Sequence, residues 1–440
     1  PKTICPWGMC ITQHVQGDDN VAMITNLLLL MGMIGVDGAG ASPVRGHSNV
    51  QGDRTMGVHE RPKQELLDSL ERVFEREMPR EDGFDVVGGA KALIEGKLKA
   101  FVSMGGNYAV AAPDMSAIQQ ALTTTQLNVF VGTKLNGTML YPGANNIILP
   151  CISRTEKIIT KKGEQFATTE DSMCQVSRSQ GNLKPISKDI KSEVQIIADL
   201  AVHVLGDSDI PWQAMSQDFD IIRDYVAQAI DGFEDFNHRV READRGFHLY
   251  HPARHRVWNT DSGKAQFEVP KYPITFVARQ MAEASEDLQA EIDHSLDENA
   301  AANDLQKVWQ LTSVRSHDQF NTMIFGHQDR YRQTERRDVL FMHPDEISRL
   351  GWQKGDKVTI SRQDSHEQMR TLGPLVLTEM DIAANAVAAY YPECNDLFDL
   401  DTHAPSSHIP AYKSSTVIVE RVSTEQVRQD SVAKGHAVSA

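Results

Sequence analysis

Cysteine is scarce in this sequence, and what there is lies scattered. Five residues, Cys5, Cys10, Cys151, Cys174 and Cys394, are spread over 440 positions, and no two form a CxxC pair. A zinc or iron–sulfur site held wholly within this chain is therefore not expected. An odd cysteine count without a signal-peptide pattern points to reduced thiols and a cytoplasmic setting, each thiol reading first as a small buried apolar group. Long apolar runs are missing as well. The longest, NLLLLMGMI from Asn26 to Ile34, falls far short of the roughly 18–20 residues that span a bilayer. Positive charge is in deficit, with 44 basic against 60 acidic residues and a formal net charge of -16. That balance argues against nucleic acid or an anionic membrane surface as the main partner. Neither a GxGxxG fingerprint after a strand nor a phosphate-cradling P-loop is present. The remainder, 40% hydrophobic and 24% charged, is ordinary for a globular protein of more than one domain. The chain opens on proline, and Pro1–Met9 reads as the middle of a folded domain. The expectation is that the natural start lies upstream.

What is present is concentrated in Asn26–Gly57, NLLLLMGMIGVDGAGASPVRGHSNVQGDRTMG. An apolar helical run ends among Gly32, Gly35, Gly38 and Gly40, and a polar loop follows around Pro43-Val44-Arg45-Gly46. Arg45 is a permanent cation with a fixed fork of donors, bracketed by proline and glycine that shape the backbone tightly. His47, Ser48, Asn49, Gln51 and Asp53 follow, a dense set of hydrogen-bonding side chains. Such a loop is suited to hold a large anionic or polar group.

Periodicity divides the chain. Up to about residue 230 it alternates strand-like and helix-like segments. Lys2–Met9, Ala100–Met104, Val129–Val131 and Ile147–Leu149 read as buried strands. Lys63–Glu77 places Leu66, Leu67, Leu70, Val73 and Phe74 on one helical stripe, and Gly88–Glu95 and Met115–Leu122 are shorter helices. This order predicts an α/β fold with open, mostly parallel sheet layers over residues 1–276. Residues 277–306 are rich in Ala, Glu, Asp and Gln and read as an acidic linker or surface excursion. From Lys307 to about 422, Lys307–Arg315, Asp338–Met342, Lys357–Ser361, Gly373–Leu377, Ala386–Tyr391 and Ser415–Val422 read as strands. A helix within His343–Gly355 ends at Gly351. Many short strands with turn signals predict a small β-barrel. Residues 423–440 form a polar tail. Gly105-Gly106-Asn107 and Thr133-Lys134-Leu135-Asn136 each follow a strand. In an open parallel sheet ligands sit outside such carboxyl ends, although a tight turn explains the glycines equally well.

GMCITQH, NLLLLMGMIGVDGAG and PVRGHSNVQGDRTMG resemble the molybdopterin oxidoreductases that bind two pyranopterin guanine dinucleotides. Within them the similarity is to formate dehydrogenase-like alpha subunits of the soluble predicted-oxidoreductase subgroup. It continues through MGGNYAVAAPD, TKLNGT, NNIILPC, SVRSHDQFNT and YYPECNDLFDLDTHAPSSHIPAYK, over roughly residues 1–420, weakest between about 205 and 306. The resemblance implies a molybdenum bis(molybdopterin guanine dinucleotide) cofactor and two-electron chemistry on formate or a similar small oxyanion. Electrons would pass to a 4Fe-4S cluster in the missing amino-terminal part and on to an electron-transfer protein or subunit. It places Arg45 beside the molybdenum as the residue that orients substrate. His47 stands where the formate enzymes carry glutamine; a histidine there can move a proton near neutral pH or act as a hydrogen-bonding spacer. Thr12, Gln13, Gly46, Asn49, Gln51 and Gly52 match positions lining the pterin cavity. Gly105, Asn107, Thr133, Lys134 and Asn136 match loops near a dinucleotide phosphate or guanine. Ser313, Val314, Arg315 and His317 match a loop that wraps a pterin, and Asn395, Tyr412 and Lys413 match other cofactor-facing positions.

The departures from the family pattern concern the metal. The cluster-binding cysteines and the protein ligand to molybdenum both belong upstream, and Cys10 stands where a glycine of GMG-like motifs is usual. Cys10 is not read as a metal ligand, and no metal-binding residue is assigned in this chain. One rival reading is a cofactor-binding but non-catalytic half that needs a partner chain. Another is a nucleotide-dependent α/β transferase without molybdenum.

Overall fold

The computed structural model describes residues 2–242, 245–270 and 308–422. The acidic stretch 277–306 and the polar tail 423–440 lie outside the described residues. Contacts divide the chain into two units that interleave along the sequence. Unit 1 comprises Pro1–Met9, Ile24–Ala109 and Ser116–Gln266, while Cys10–Met23 and Val110–Met115 group with the described residues from 267 onward in unit 2.

In unit 1, strand β1 (Ile4–Trp7) pairs in parallel with β2 (Gly40–Pro43). A second parallel sheet is built from β3 (Ala100–Met104), β4 (Leu127–Gly132) and β5 (Asn146–Pro150), in that order. Central β4 buries Phe130 and Val131. The flanking strands do not match the expectation of burial on both faces: Val102 is 52% exposed and Ile148 48%. An edge strand packs fewer neighbours, so much of its apolar surface stays open. The helix Val86–Ile94 starts at Asp85, whose carboxylate accepts the Gly88 N–H. It buries Val87, Ala90, Ala92 and Leu93, and the helix Met115–Thr123 buries Ile118, Ala121 and Leu122. The helix Gln64–Phe74 ends at Glu75 in the left-handed region, φ 51. Of its apolar stripe Leu67 is fully buried, while Phe74 stacks on Tyr225 at 5.1 Å.

The sequence reading did not foresee the antiparallel part of unit 1. Strands β6 (Ile158–Thr160) and β7 (Gly163–Gln165) form a hairpin. Strands β8 (Ala167–Glu170), β9 (Gln175–Ser179) and β10 (Phe247–His248) make a small sheet. Phe166, Val176, Phe233, Phe236 and Val240 form the core behind that sheet. Gly246, at φ +73, admits no Cβ because one would collide with the Val176 carbonyl.

Unit 2 is organised by six strands, β11 (Val308–Val314), β12 (Val339–Met342), β13 (Lys357–Gln363), β14 (Met369–Glu379), β15 (Ala386–Tyr390) and β16 (Ser415–Arg421). They pair in the closed order β11-β15-β12-β14-β13-β16, a barrel of mixed parallel and antiparallel neighbours. Alternating burial along β11 sends Trp309 and Leu311 into the interior with Leu340, Ile360, Leu377 and Val387. β12 is buried on both faces because Val339 and Phe341 meet Ala388 and Tyr390 in a second cluster. The helix Pro344–Arg349 stops before Gly351, which sits at φ +67. No helix among the described residues is long and apolar enough to cross a membrane.

The two early segments join unit 2 through specific bonds. The Tyr391 and Tyr412 hydroxyls donate to the Ala111 carbonyl at 3.0 and 2.8 Å, and the Asn395 amide donates to the Val110 carbonyl at 2.8 Å. Asp18 accepts the Ser406 and Ser407 N–H groups at 2.8 and 3.2 Å. Satisfying such groups from distant sequence is what a local pattern cannot reveal.

Candidate functional site

The Arg45 loop leaves β2 at Pro43, and the Val44 N–H donates to the Trp7 carbonyl at 2.7 Å. It re-enters regular structure at the helix Val50–Thr55, with Asn49 as the residue before it. Asn49 spends its side chain across the unit: its Oδ1 accepts the Glu170 N–H at 2.9 Å, and its Nδ2 donates to Asp53 at 3.2 Å. Gly52 is buried against that amide, and a Cβ there would strike Asn49 Oδ1. Ser48 Oγ accepts from Arg154, whose other nitrogen reaches Ser179 at 3.4 Å. Between these anchors Arg45, Gly46 and His47 are exposed. The Arg45 guanidinium donates to Gln51 Oε1 at 3.1 Å and forms no ion pair among the described residues.

Arg45 and Gln51 line a cavity of about 620 Å³ whose other walls include Trp7, Gly35, Cys174 and Arg254. One residue under this loop escaped the sequence reading. Glu170 ends β8 at 4% exposure, and its Oε2 has no hydrogen-bond partner among the described residues. Burial chiefly, then the Asp171 charge, raises its pKa; the Thr55 hydroxyl and Arg45 act the other way and are outweighed. The signal was an acidic residue at the inward end of ATTE, invisible until the strand's inner face is known. Glu193 is likewise raised by burial and by Asp53.

A second group sits at the carboxyl ends of β3 and β4. Gly105 and Gly106 adopt φ 66 and 72, with open space where a Cβ would point. Asn107 is buried and its Oδ1 accepts both the N–H and the hydroxyl of Thr138 at 2.9 Å. Asn136 donates to the Gly106 carbonyl at 2.9 Å. These two asparagines therefore tie the loops together, while Thr133 and Lys134 are exposed.

The third group lies in unit 2. Lys413 Nζ donates to the carbonyl of buried Ser313 and to its Oγ, and the Lys413 N–H donates to the Gln13 carbonyl at 2.9 Å. Burial pushes the Lys413 ammonium pKa down; the neighbouring Cys10 and Cys394 thiols act upward without prevailing. His14 is lowered by burial too. Val314 accepts the Tyr391 N–H at 2.8 Å. The Arg315 guanidinium lies 5.0 Å from the Tyr391 ring centre, and His317 packs on Tyr331 at 4.2 Å. Thr12 ends the short helix Met9–Thr12. Asn395 is fully buried, and its Oδ1 has no partner among the described residues. The structure thus gathers Gln13, Ser313 and Lys413 directly, with Asn395 and Tyr412 joined through residues 110–111. Cys151 and Cys394 are buried as expected, but Cys10 is exposed. No cluster of three or more His, Cys, Asp or Glu able to hold a metal occurs among the described residues.

Residues 2–202 match the family described as Molybdopterin oxidoreductase, and residues 309–416 match the Molydopterin dinucleotide binding domain. An uncharacterized oxidoreductase of Mycobacterium bovis is 39% identical over 427 residues, covering 95% of this chain and 51% of the relative. Protein YdeP of Escherichia coli is 37% identical over 422 residues, covering 95% and 52%. A putative formate dehydrogenase of Bacillus subtilis is 32% identical over 159 residues, 34% of this chain and 16% of the relative. The chain spans about half the length of the first two relatives. Acetylene hydratase from Pelobacter acetylenicus superposes with a TM-score of 0.46 at 13% identity, covering 81% of this chain and 50% of that one.

Proposed function

Since the chain belongs to the molybdopterin oxidoreductases, we propose that it forms part of an enzyme that carries out a two-electron oxidoreduction of formate or a similar small oxyanion. The carrying observation is Arg45: a guanidinium exposed on a cavity wall, oriented by neutral Gln51 and held by a loop anchored at Ser48 and Asn49. A planar fork in that position binds a carboxylate through paired charge-assisted bonds and never loses its charge. Anchoring the loop keeps the fork oriented before substrate arrives, which is where positioning helps catalysis.

The residues of unit 2 fit a pterin dinucleotide. The unpartnered Asn395 Oδ1 is a buried acceptor that asks for a donor, and Lys413 and Arg315 supply positive charge for phosphate. In unit 1 the open Gly105-Gly106 turn lets a ligand approach the backbone. When bound, the molybdenum centre held by pterin dithiolenes supplies the two-electron couple. This chain's part is to bind, to orient and to place His47 where its imidazole can exchange a proton with solvent. The cofactor's form is taken to be the bis(guanine dinucleotide). A 4Fe-4S cluster outside this chain would supply the electron outlet, with a redox protein or subunit as partner, in a cytoplasmic setting.

The test loads the full-length protein in a host that makes the cofactor and measures metal, pterin and formate turnover. About one molybdenum and two pterin dinucleotides per chain, with turnover, support the reading. Arg45→Lys should keep the cofactor content and lose most turnover, because an ammonium cannot reproduce the fork. Loss of cofactor with activity would make Arg45 a structural contact. Cofactor without turnover of any small oxyanion would favour the non-catalytic reading.

A further inference from the structure

The parallel sheet β3-β4-β5 has two edges, and only one of them is built as an edge. On the β5 side, Asn128 N–H donates to the Asn145 carbonyl at 2.8 Å and Cys151 N–H to the Gly132 carbonyl at 3.1 Å. Backbone groups alternate sides along a strand, so Asn146, Ile148 and Pro150 direct theirs away from β4. Pro150 stands on that outward side and has no N–H to offer. Beyond it, Ile152 N–H is taken by the Lys191 carbonyl at 3.1 Å. A proline and a covering segment are ordinary ways of closing an edge.

The β3 side carries neither device. Gly105 N–H donates to the Val131 carbonyl at 2.8 Å, and the Lys99 carbonyl accepts Leu127 N–H at 3.2 Å. The same alternation turns the backbone groups of Ala100, Val102 and Met104 outward. Among the described residues β3 pairs with no strand but β4. Its sequence, AFVSM, has no proline or charge to blunt it, and its register with β4 runs without a bulge. The side chains are equally uncovered. Val102 aligns with Val129 and Ile147 across the sheet, and Met104 with Val131 and Leu149, so these side chains share one face. Ile196, on the helix Glu193–Leu205, packs on Val131 with Val129 and Leu149 beside it. That cover stops short of β3, where Val102 is 52% exposed and Met104 41%. Folded proteins seldom leave such an edge open, and wholly parallel sheets are covered on both faces.

The stretch that this chain matches is 51% of the Mycobacterium bovis relative and 52% of the Escherichia coli one, so each has as much chain again outside it. We propose that β3 is an interior strand of the parent protein. A further strand, from the part of the parent polypeptide beyond these 440 residues, pairs along Ala100–Met104, and an apolar element of the same part covers Val102 and Met104. The added strand is a β-rich apolar run, since a neighbour of β3 is buried on both faces. It brings chain beside Gly105-Gly106-Asn107, so the ligand group at that loop gains a further wall. The inference is independent of the part assigned to Arg45.

The experiment is hydrogen exchange on the full-length, cofactor-loaded protein, read at single residues by mass spectrometry. The Ala100, Val102 and Met104 amides should exchange at least about a hundredfold more slowly than in free peptide. Exchange at the free-peptide rate leaves β3 an open edge and overturns the proposal. Val102→Pro removes an outward N–H and spares the pairing with β4. It should speed exchange at Ala100 and Met104 about tenfold, and unchanged protection there would mean that no strand is paired along β3. A diazirine amino acid in place of Met104 then identifies the occupant. Crosslinks to sequence beyond the 440 residues support the proposal. Crosslinks to residues 271–307 of this chain, or between isotopically distinct copies, overturn it.

Discussion

Glu170 is the residue whose energetics are most at odds with its surroundings. A carboxylate at 4% exposure with an unsatisfied oxygen costs about 1–3 kcal/mol, and Arg45 offsets only part of that. Its raised pKa fixes the sign of the pH dependence. Between the ordinary carboxylate value and the raised folded value, the folded protein holds a proton that the unfolded chain has released, so stability falls as pH rises through that interval. Below the ordinary value the group is neutral in both states and contributes no penalty. Glu170→Gln should therefore raise Tm at pH 7 and change it little at pH 4. Thermal melts at the two pH values decide the matter, and an equal offset at both would mean that the carboxylate is not the source. Residues of this kind are hard to read from sequence. Arg45 announces itself through its glycine and proline neighbours, whereas Glu170 becomes unusual only once β8 has turned it inward.

At the scale of elements, legibility followed the range of the interactions that make each one. β3, β4 and β5 were readable because apolar β-rich runs end in glycine or proline, and the six barrel strands were readable as short β-rich runs separated by polar turns. β8, β9 and β10 were not, because β8 and β9 are largely polar and β10 is two residues long, held only by pairing with β9 far away along the chain. The loop carrying Arg45 was visible, but its anchors were not: Arg154 and the Glu170 backbone come from more than a hundred residues away. The Asn49–Gly52 pair tests how far this anchoring matters. Asn49→Ala removes the bond to the Glu170 N–H and should cost about 1 kcal/mol. Gly52→Ala should cost a similar or larger amount by driving the same amide away. Because both act on one contact, the double variant should cost clearly less than the sum of the two. Denaturant melts of the four proteins measure this, and simple additivity would show that Gly52 is needed for something other than Asn49.

At the scale of the whole chain, charge dominates. A molecule with a formal net charge of -16 meets acid by protonating its carboxylates, and those already paired resist longest. In unit 2 the buried Asp364 accepts from Arg370 Nε at 2.8 Å, and the same guanidinium reaches Asp114 at 2.6 Å, tying residues 110–115 to strand β14. Burial alone would raise the Asp364 pKa. The Arg370 guanidinium and the Gln368 and His366 N–H groups outweigh it and pull the pKa down to about 2. A lowered folded value means that the stabilisation is complete above the ordinary carboxylate range and disappears as pH falls from about 4 through about 2. The barrel should accordingly hold its amide protection at pH 4 and lose it towards pH 2. Asp364→Asn should bring that loss to higher pH and weaken protection even at pH 7, since Arg370 would keep one carboxylate in place of two. Hydrogen exchange along β13 and β14 reads both effects. Protection lost at the same pH in parent and variant would assign acid unfolding to other carboxylates and leave Asp364 a local brace of β14.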